Sequence, residues 1–500
     1  MNSKTELPDE DEKLEYKACF NKLSNDVWET VSAFENTSGG KIVLGVDEVN
    51  NSGNISYVSK GIKNPHKIVE QFWSNIANKI SSSTITNGSV TLQDAGEGRQ
   101  IIVINVPEAR DNKKPVMADG KPYVRKGSVD VEAKGEDLVA LITNASDDLD
   151  TEILKNYDLS DLNLTDVAEY QKMISSRDKY RFYDGMELET FLEQIGVISK
   201  DYSGDGEKGI TVGGLLFFGK NNAIVHKFPG FQLEYIDQSS VTDRWKERIS
   251  TVMDDLNIFS FFRETLSVLN ATIEDRFALN ADMSRTDTSG TMAVALREAL
   301  VNMLMHANYY ENHPLIVHNK MNFYEFINPG KMKIPVEAFF TSNMTATRNP
   351  VISKLFVQLG FGERAGTGGE TIFHSSVVNH CRAPEITTNE QETKLVIWKV
   401  DYADSFSGEE INERGRMVLK VVMSSPKRFL SKREIEEKTG LTRSQATEVL
   451  KDLMGKQIIT KQGNSRSTKY GVKATATQLI AQAESRAAAL RSMFKSGKFD

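Results

Sequence analysis

The chain has 500 residues, of which 39% are hydrophobic and 26% are charged, and its formal net charge is −8. This composition predicts a globular chain of about three domains. The acidic first residues argue against a signal peptide, and no apolar run approaches the roughly 20 residues of a membrane span, so we expect a cytoplasmic protein. The two cysteines, Cys19 and Cys381, are far apart in sequence and argue against a disulfide framework and a cysteine-based zinc site.

The first predicted domain, residues 1–148, alternates helical and strand patterns. The stretch SNDVWETVSAFENT predicts a helix with Ser24 as its N-cap, and SGGKIVLGVDE predicts a buried strand entered through two glycines. SVTLQDAGEGRQIIVINVPE predicts a hairpin, and a short helix is expected near residues 135–145. The polar, acidic residues 149–163 are typical of a linker.

Residues 164–402 predict a larger α/β or α+β domain. Helices are expected near 165–176, 187–195 and 251–274, and strands at GGLLFFG, GFQLEYID, PLIVHNK, NFYEFINPG and TKLVIWKV. A loop containing TRNP precedes a helix that starts near Val351. The whole chain is therefore expected to be a multidomain α/β and α+β protein.

One helix of this domain, ALREALVNMLMHANYY, is apolar on most sides but carries a polar stripe. Glu298, Asn302 and His306 stand four residues apart and so lie on one face. An unpartnered buried polar group costs about 2 to 7 kcal/mol, so something should satisfy this stripe. The Asn302 amide oxygen suits Mg²⁺, and Glu298 could orient a water as general base. Hydrogen bonds inside the domain are the alternative explanation.

The glycines that follow this helix favour a nucleotide site. FINPGKM places a tight turn after a strand, and GERAGTGGETIF places four glycines before a helix, where backbone N–H groups can hold phosphate. Together these stretches resemble the divergent ATPase half of bacterial transcriptional regulators and RecG-related ATP-binding proteins, which is similar to the Bergerat fold. The resemblance spans roughly residues 205–380 and implies ATP and Mg²⁺ as cofactors.

The resemblance also implies roles for individual residues. Glu298 corresponds to the general base and Asn302 to the Mg²⁺ ligand. For His306 we expect a structural role, which is to hold the helix end near the phosphate loop. The adenine-side turn corresponds to Asn328 and Gly330, and the phosphate loop to Gly366, Gly368 and Gly369. Asn328 stands where the fold normally has an aspartate, although its oxygen can still accept a hydrogen bond from adenine. The segment from Phe339 to Arg348 is a candidate nucleotide lid.

The first domain resembles the Schlafen-like, Alba-type domain that precedes this ATPase half. EDEKLEYKACF, VSAFENTSGGKIVLGVDE and KPYVRKGS carry the resemblance, which covers about residues 1–145. It implies nucleic-acid binding, and in Schlafen nucleases a carboxylate triad to which Glu10, Glu15 and Asp47 correspond. Three such carboxylates could bind Mg²⁺ or Mn²⁺ and cleave phosphodiesters. A solvated acidic face is the alternative explanation.

Several basic residues of this domain could contact phosphate. Lys17, Arg125 and Lys126 are the main candidates, with Lys22 and Lys41 as further ones. Arg125 follows a predicted strand and is expected to project from a sheet edge.

Residues 405–474 predict a basic module on an otherwise acidic chain. Between Glu413 and Lys473, fifteen Lys and Arg stand against six Asp and Glu. Three short helices and a hairpin turning at 463–465 predict a winged helix-turn-helix. The predicted base readers are Arg443, Ser444 and Gln445, and the predicted phosphate contacts on the wing are Lys461, Arg466 and Lys469. Residues 475–500 predict an Ala-rich tail helix.

These features favour an ATP-binding, DNA-binding transcriptional regulator gated by nucleotide, with RNA as the alternative target. A homo-oligomer is expected, since ATPases of this fold often dimerise when ATP orders their lid. The alternatives are a metal-dependent nuclease acting on tRNA, other RNA or DNA in phage defence, and a signalling or scaffold protein that binds ATP without turnover. Whether ATP is hydrolysed and whether the carboxylates cleave stay open.

Overall fold

The structure is a computed structural model, and its chain forms two compact units, Met1–Asp147 and Asp148–Asp500. It describes residues 7–51, 54–96, 98–202, 206–240, 245–273, 277–279, 285–287, 289–341, 344, 346–362, 368–379, 381–406, 408–423, 429–463 and 468–473. The predicted tail helix, Gly366 and Arg466 lie outside these residues.

The first unit is an α/β structure, as the sequence predicts. Its elements are β1 (Leu14–Lys17), α1 (Val27–Asn36), β2 (Gly40–Leu44), β3 (Val46–Asn51), β4 (Asn54–Ser59), α2 (Pro65–Lys79), β5 (Val90–Gly96), β6 (Arg99–Val106), β7 (Met117–Ala118), β8 (Lys121–Lys126), β9 (Val129–Glu132) and α3 (Glu136–Ala145). The helix α1 begins at Val27 with Asp26 at the N-cap position, so the prediction of Ser24 as N-cap is wrong.

A four-stranded sheet in the order β1-β2-β6-β5 forms the centre of the first unit. Only β1 and β2 run parallel in it. Alternate residues of β2 face opposite sides, so Ile42 and Leu44 pack with the core that includes α1 and α2, while Val43 packs with Tyr16 and Tyr57. Strands β3 and β4 pair as a hairpin, and β7, β8 and β9 form a third small sheet.

The AFENTSGG stretch ties α1 to these strands through a buried asparagine. The Asn36 amide donates to the carbonyls of Val116 and Tyr123, each at 2.8 Å, and its oxygen accepts from the Val116 N–H at 2.7 Å. After the helix, Gly39 has a φ of +67°, and a Cβ on Gly40 would lie 2.7 Å from the Phe34 ring. The asparagine and the glycines are therefore required by the fold of this unit.

The second unit begins with a small sheet and continues into the larger one. Its elements to residue 271 are β10 (Ile153–Leu154), α4 (Leu164–Ser175), α5 (Leu188–Ile195), β11 (Ile198–Lys200), β12 (Lys208–Thr211), α6 (Val212–Phe218), α7 (Asn221–Lys227), β13 (Leu233–Gln238), β14 (Arg248–Ser250) and α8 (Ile258–Ala271). The predicted strand GGLLFFG is wrong, because these residues belong to α6. The stretch 149–163, predicted as a linker, contributes β10, which pairs with β12.

The remaining elements complete this unit. They are β15 (Phe277–Leu279), β16 (Arg285–Asp287), α9 (Ser289–His306), β17 (Leu315–Lys320), β18 (Phe323–Pro329), α10 (Val336–Thr341), α11 (Pro350–Leu359), α12 (Gly368–Val378), β19 (Glu385–Thr388), β20 (Glu392–Trp398), α13 (Glu413–Met423), β21 (Leu430–Ser431), α14 (Lys432–Thr439), α15 (Arg443–Gly455), β22 (Ile459–Gln462) and β23 (Lys469–Val472). None of the helices in the described ranges is both long enough and apolar enough to cross a bilayer.

A six-stranded sheet in the order β14-β13-β17-β18-β20-β19 supports the larger core. Its inward residues, such as Leu233, Val317 and Phe326, pack in one cluster with the apolar sides of α8, α9 and α11. A separate cluster joins α13, α14 and α15 to the β21-β23-β22 sheet. The predicted strands at β17, β18 and β20 and the three predicted C-terminal helices are confirmed.

A buried carboxylate caps the start of α11. Asp150 is fully buried, and its oxygens accept from the backbone N–H groups of Val351 and Ile352 at 3.2 and 2.8 Å. Burial raises the pKa of this carboxyl to about 7, although the two N–H groups oppose that shift. The first turn of α11 therefore depends on a residue that lies 200 positions earlier in the sequence.

Replacing Asp150 by alanine leaves two helix-terminal N–H groups without their acceptor. We expect Asp150→Ala to lower the free energy of unfolding of the second unit by about 2 kcal/mol. Hydrogen exchange followed by mass spectrometry on α11 peptides should show faster exchange. Asp148→Ala, at an exposed position two residues earlier, is the matched control and should leave the exchange unchanged. Equal α11 protection in the two variants would contradict the capping role.

Candidate functional site

The polar stripe of α9 lines a cavity of about 320 Å³. Glu298, Asn302 and His306 all face it, and β18, α10 and α12 contribute the other walls. The opposite sides of α9 are apolar and buried, with Leu296, Leu300 and Leu304 fully enclosed. Packing in the core therefore fixes α9 so that its polar stripe faces the cavity.

Asn302 brings an unpartnered buried polar atom to this cavity. Its amide nitrogen is buried, and no described residue accepts a hydrogen bond from it. A buried donor without an acceptor costs about 1 to 3 kcal/mol. Because the amide faces a cavity, an oxygen-bearing ligand could satisfy it. Its amide oxygen is a hard donor that suits Mg²⁺.

Gly368, the first residue of α12, comes close to the two functional side chains of α9. A Cβ on Gly368 would lie 2.8 Å from the Asn302 amide nitrogen and 3.4 Å from a Glu298 carboxylate oxygen. A Cβ on Gly369 would collide with the Phe339 carbonyl of α10. Both glycines are thus required by close packing, and the N-terminus of α12 opens beside Asn302.

Glu298 is available for chemistry at the cavity. Its side chain is 14% exposed, and the Arg297 guanidinium lies 3.4 Å from its carboxylate. Arg297 in turn stacks over the Phe361 ring. The carboxylate and the Asn302 amide could share one hydrated Mg²⁺, since Mg²⁺ usually takes one or two protein ligands and keeps several waters.

The turn after β18 closes another side of the cavity. Asn328 is only 8% exposed, and Gly330 has a φ of +94°, a conformation that favours glycine. A Cβ at Gly330 would collide with the guanidinium of Arg348. Arg348 is itself buried and donates to the carbonyls of His306 and Lys331, each at 2.9 Å. Arg348, which the sequence analysis placed at the end of a lid, is therefore a buried brace.

His306 serves this site as an uncharged group. Burial, assisted by the nearby positive charges of Arg348 and Lys333, lowers the pKa of His306 to about 4. The helix end is held through its backbone carbonyls, which accept from Arg348 and from the Asn349 amide. The predicted holding role thus belongs to residues 348 and 349 rather than to the imidazole.

Sequence reasoning missed the charges and the apolar lining of the cavity. Lys331 and Lys333 both line it, and Lys331 also pairs with Glu390 at 2.7 Å. The apolar lining includes four methionines, which are Met303, Met305, Met332 and Met344. The signal was present in PGKMKI, where two lysines directly follow the predicted adenine-side turn. Two cations and several apolar side chains thus line the same cavity.

The three carboxylates predicted as a nuclease triad each have partners within the first unit. Glu10 accepts from the Tyr16 N–H at 2.8 Å, and burial raises its pKa. Glu15 is buried between Arg125 and Lys17, while Asp47 pairs with Lys60 at 2.5 Å. In the described ranges, no group of three His, Cys, Asp or Glu residues is arranged to hold a metal ion. Two of the three carboxylates, Glu15 and Asp47, are therefore paired with neighbouring cations in this structure.

The expectation that Arg125 projects from a sheet edge is wrong. Its side chain is 2% exposed and bridges Glu15 at 2.7 Å and Asp130 at 2.8 Å. The guanidinium also donates to the Leu14 carbonyl and lies over the Phe34 ring. Burial of a charge demands such partners, so Arg125 is part of the interior of the first unit.

The other predicted contacts of the first unit are paired. Lys17 is 15% exposed and lies between Glu15 at 2.7 Å and Asp26 at 3.1 Å. Lys126 is 54% exposed and pairs with Asp137 at 2.8 Å. Of the three main predicted contacts, Lys126 is the most accessible to solvent.

The predicted base readers lie at the start of α15. Arg443 and Ser444 are exposed, whereas Gln445 is half-buried and its side chain accepts from the Thr442 N–H at 3.0 Å in a capping box. The side-chain oxygen of Gln445 is thus already used as an acceptor in the helix cap. Lys461 and Lys469 are exposed on the paired strands β22 and β23.

Comparisons with known proteins match parts of the first unit and of the predicted ATP-binding domain. Residues 10–134 match the family model "Schlafen, AlbA_2". Residues 317–397 match the model "Putative ATP-dependent DNA helicase recG C-terminal". Residues 140–234 match a domain of unknown function. The chain thus contains a Schlafen AlbA_2 domain and a recG-like C-terminal domain within a mixed α/β architecture.

The recG-like match covers only part of the candidate site. The recG-like match includes Asn328, Gly330 and Gly368 but begins after α9, which carries Glu298 and Asn302. No curated protein matches the chain. Among solved structures, the DIP2311 protein from Corynebacterium diphtheriae aligns with 92% of this chain and 95% of its own at 14% identity and a TM-score of 0.39.

Removing the Arg125 guanidinium should destabilise the first unit. Arg125→Ala leaves the Glu15 and Asp130 carboxylates buried beside the vacated space, and we expect a loss of about 3 to 5 kcal/mol in free energy of unfolding. Urea-dependent hydrogen exchange of α1 and β2 peptides measures it. Lys126→Ala, which breaks a neighbouring exposed ion pair, is the control and should change the free energy of unfolding by less than about 1 kcal/mol. Similar effects of the two substitutions would contradict the interior role of Arg125.

Proposed function

We propose that the protein binds ATP with Mg²⁺ in the α9 cavity and uses this nucleotide to control its association with nucleic acid. The observation that carries the proposal is the buried Asn302 amide, which lacks a described partner and faces the cavity beside Glu298 and Gly368. The recG-like match, whose description names an ATP-dependent DNA helicase, supports the same ligand.

The cavity offers a separate environment for each part of ATP. Asn328, Phe326 and the methionines would enclose the base, with the asparagine oxygen accepting from the adenine amino group. The N-terminus of α12 and the Lys333 ammonium would face the phosphates. Asn302 would hold Mg²⁺, and Glu298 would orient water if the nucleotide is hydrolysed.

We further propose that residues 405–474 are a winged helix that binds duplex DNA. Three helices packed on a small sheet, with α15 following α14 across the short turn at Gly440, support this assignment. Arg443 and Ser444 would face the major groove, and Lys461 and Lys469 the flanking backbone. The charge excess of Glu413–Lys473 favours nucleic acid over a protein partner. Together these modules fit a nucleotide-gated transcriptional regulator.

Crowding the cavity at Gly368 should weaken ATP binding. The added Cβ of Gly368→Ala would meet the Asn302 amide, and Asn302→Ala removes the Mg²⁺ ligand, so we expect each variant to raise the Kd for ATP at least about tenfold. Isothermal titration calorimetry with and without Mg²⁺ measures both. Gly455→Ala, at a glycine with open space around it, is the matched control. Mg²⁺-dependent binding that survives Asn302→Ala would overturn the ligand assignment.

Neutralising the proposed DNA-binding face should change the salt dependence of binding. Arg443→Ala and Lys461→Ala should both weaken duplex binding. Lys461→Ala, which removes a phosphate contact, should also lower the slope of log K against log salt by about 0.9. Fluorescence anisotropy with labelled duplex DNA measures this slope. Arg433→Ala removes an exposed cation of α14 that pairs with Glu437, and it should leave the slope unchanged. A similar loss for Arg433→Ala would indicate a general charge effect.

A further inference from the structure

An exposed aromatic ring in the first unit lies in a loop anchored on both sides. Phe20 is 58% exposed, whereas Cys19 is 3% and Leu23 is 7% exposed. The buried neighbours fix the loop in the core, so the Phe20 ring is held outward. A single exposed apolar residue is ordinary, and its surroundings decide whether it has a role.

A backbone contact joins the loop of this ring to a segment that carries basic residues. The Lys63 N–H donates to the Phe20 carbonyl at 3.1 Å, and Lys67 follows in the first turn of α2. Lys22 lies two residues after Phe20 in the same loop. We call Phe20 and these three lysines, Lys22, Lys63 and Lys67, the Phe20 surface.

Of the lysines of the Phe20 surface, Lys22 is a sequence-predicted phosphate contact, whereas Lys63 and Lys67 are not. Lys22, Lys63 and Lys67 are exposed, and none forms an ion pair with any residue in the part of the chain that the structure describes. Lys17 and Lys126 are each neutralised by a carboxylate. Unpaired ammonium groups can contact phosphates without first losing an internal partner.

We propose that the Phe20 surface binds single-stranded nucleic acid, with one base stacked on Phe20 and the backbone phosphates on the lysines. An exposed ring can stack only on a base face that is not already covered, and in a duplex both faces of interior bases are covered. The combination of ring and unpaired cations therefore selects single strands. This inference rests on the proposed nucleic-acid function. It adds single-stranded nucleic acid as a second ligand, besides duplex DNA, and the Phe20 surface as its binding site.

The test is fluorescence anisotropy of the full-length protein with labelled oligo-dT, oligo-U and duplex DNA. Stacking on an aromatic ring is worth about 1 to 3 kcal/mol per base, so Phe20→Ala should weaken single-strand binding by about fivefold or more. Phe20→Trp should retain binding. The Lys63→Ala, Lys67→Ala double variant should reduce the salt slope by about 1.4, at about 0.7 per lysine on single strands.

Phe182→Ala is the matched control, because this ring is 59% exposed but lies in the second unit. It should leave single-strand binding unchanged, and Phe20→Ala should leave duplex binding unchanged. Single-strand binding that is insensitive to Phe20→Ala, or equally sensitive to Phe182→Ala, would overturn this inference and leave the proposed function standing. A wild-type protein that binds neither single strands nor duplex would overturn both.

Discussion

The cavity of the second unit depends on how the C-terminal end of α9 is satisfied. A helix end leaves carbonyl groups without intrahelical partners, and those of Met305, His306 and Ala307 are enclosed by protein. Arg348 and the Asn349 amide supply the donors, reaching these carbonyls at 2.8 to 3.0 Å. Because Arg348 also donates to the Lys331 carbonyl, this residue fixes the turn after β18 as well. The helix that bears Glu298 and Asn302 and the turn that bears Asn328 thus share one brace.

The brace is itself held by a chain of buried polar contacts. Asn349 is the residue before α11, and Asp150 accepts from the first N–H groups of that helix. The first unit uses similar physics, since Asn36 joins α1 to β8 and Arg125 joins β8 to β1. In each case the cost of burying a polar side chain is offset because that side chain forms hydrogen bonds with several buried groups. Such residues would look like functional candidates in sequence while their role is structural.

This difference explains which parts could be predicted from the sequence. The α9 stripe was predictable because a spacing of four places Glu298 and Asn302 on one face of any helix, and the strands β17, β18 and β20 were predictable from their apolar patterns. The stretch GGLLFFG was not, because an unbroken apolar run has no period that separates a buried helix from a buried strand. Arg125 was misplaced because its partners, Glu15 and Asp130, are brought together only by the tertiary fold. Burial of Arg125 cannot be read from a local pattern of charges.

The position of Arg348 also suggests how nucleotide could act on the rest of the second unit. A base bound against Asn328 would contact the turn whose Lys331 carbonyl Arg348 holds. Mg²⁺ on the phosphates would be held by Asn302, one turn before His306 on the same helix. The base and the phosphates would therefore contact two elements, the turn after β18 and α9, that Arg348 joins. Binding of the base would favour the position of α9 that binds the phosphates, and the reverse. A ligand can shift an equilibrium only through such differential contacts. The residues that could transmit nucleotide occupancy are thus those of the brace, Arg348 and Asn349, rather than the uncharged His306 imidazole.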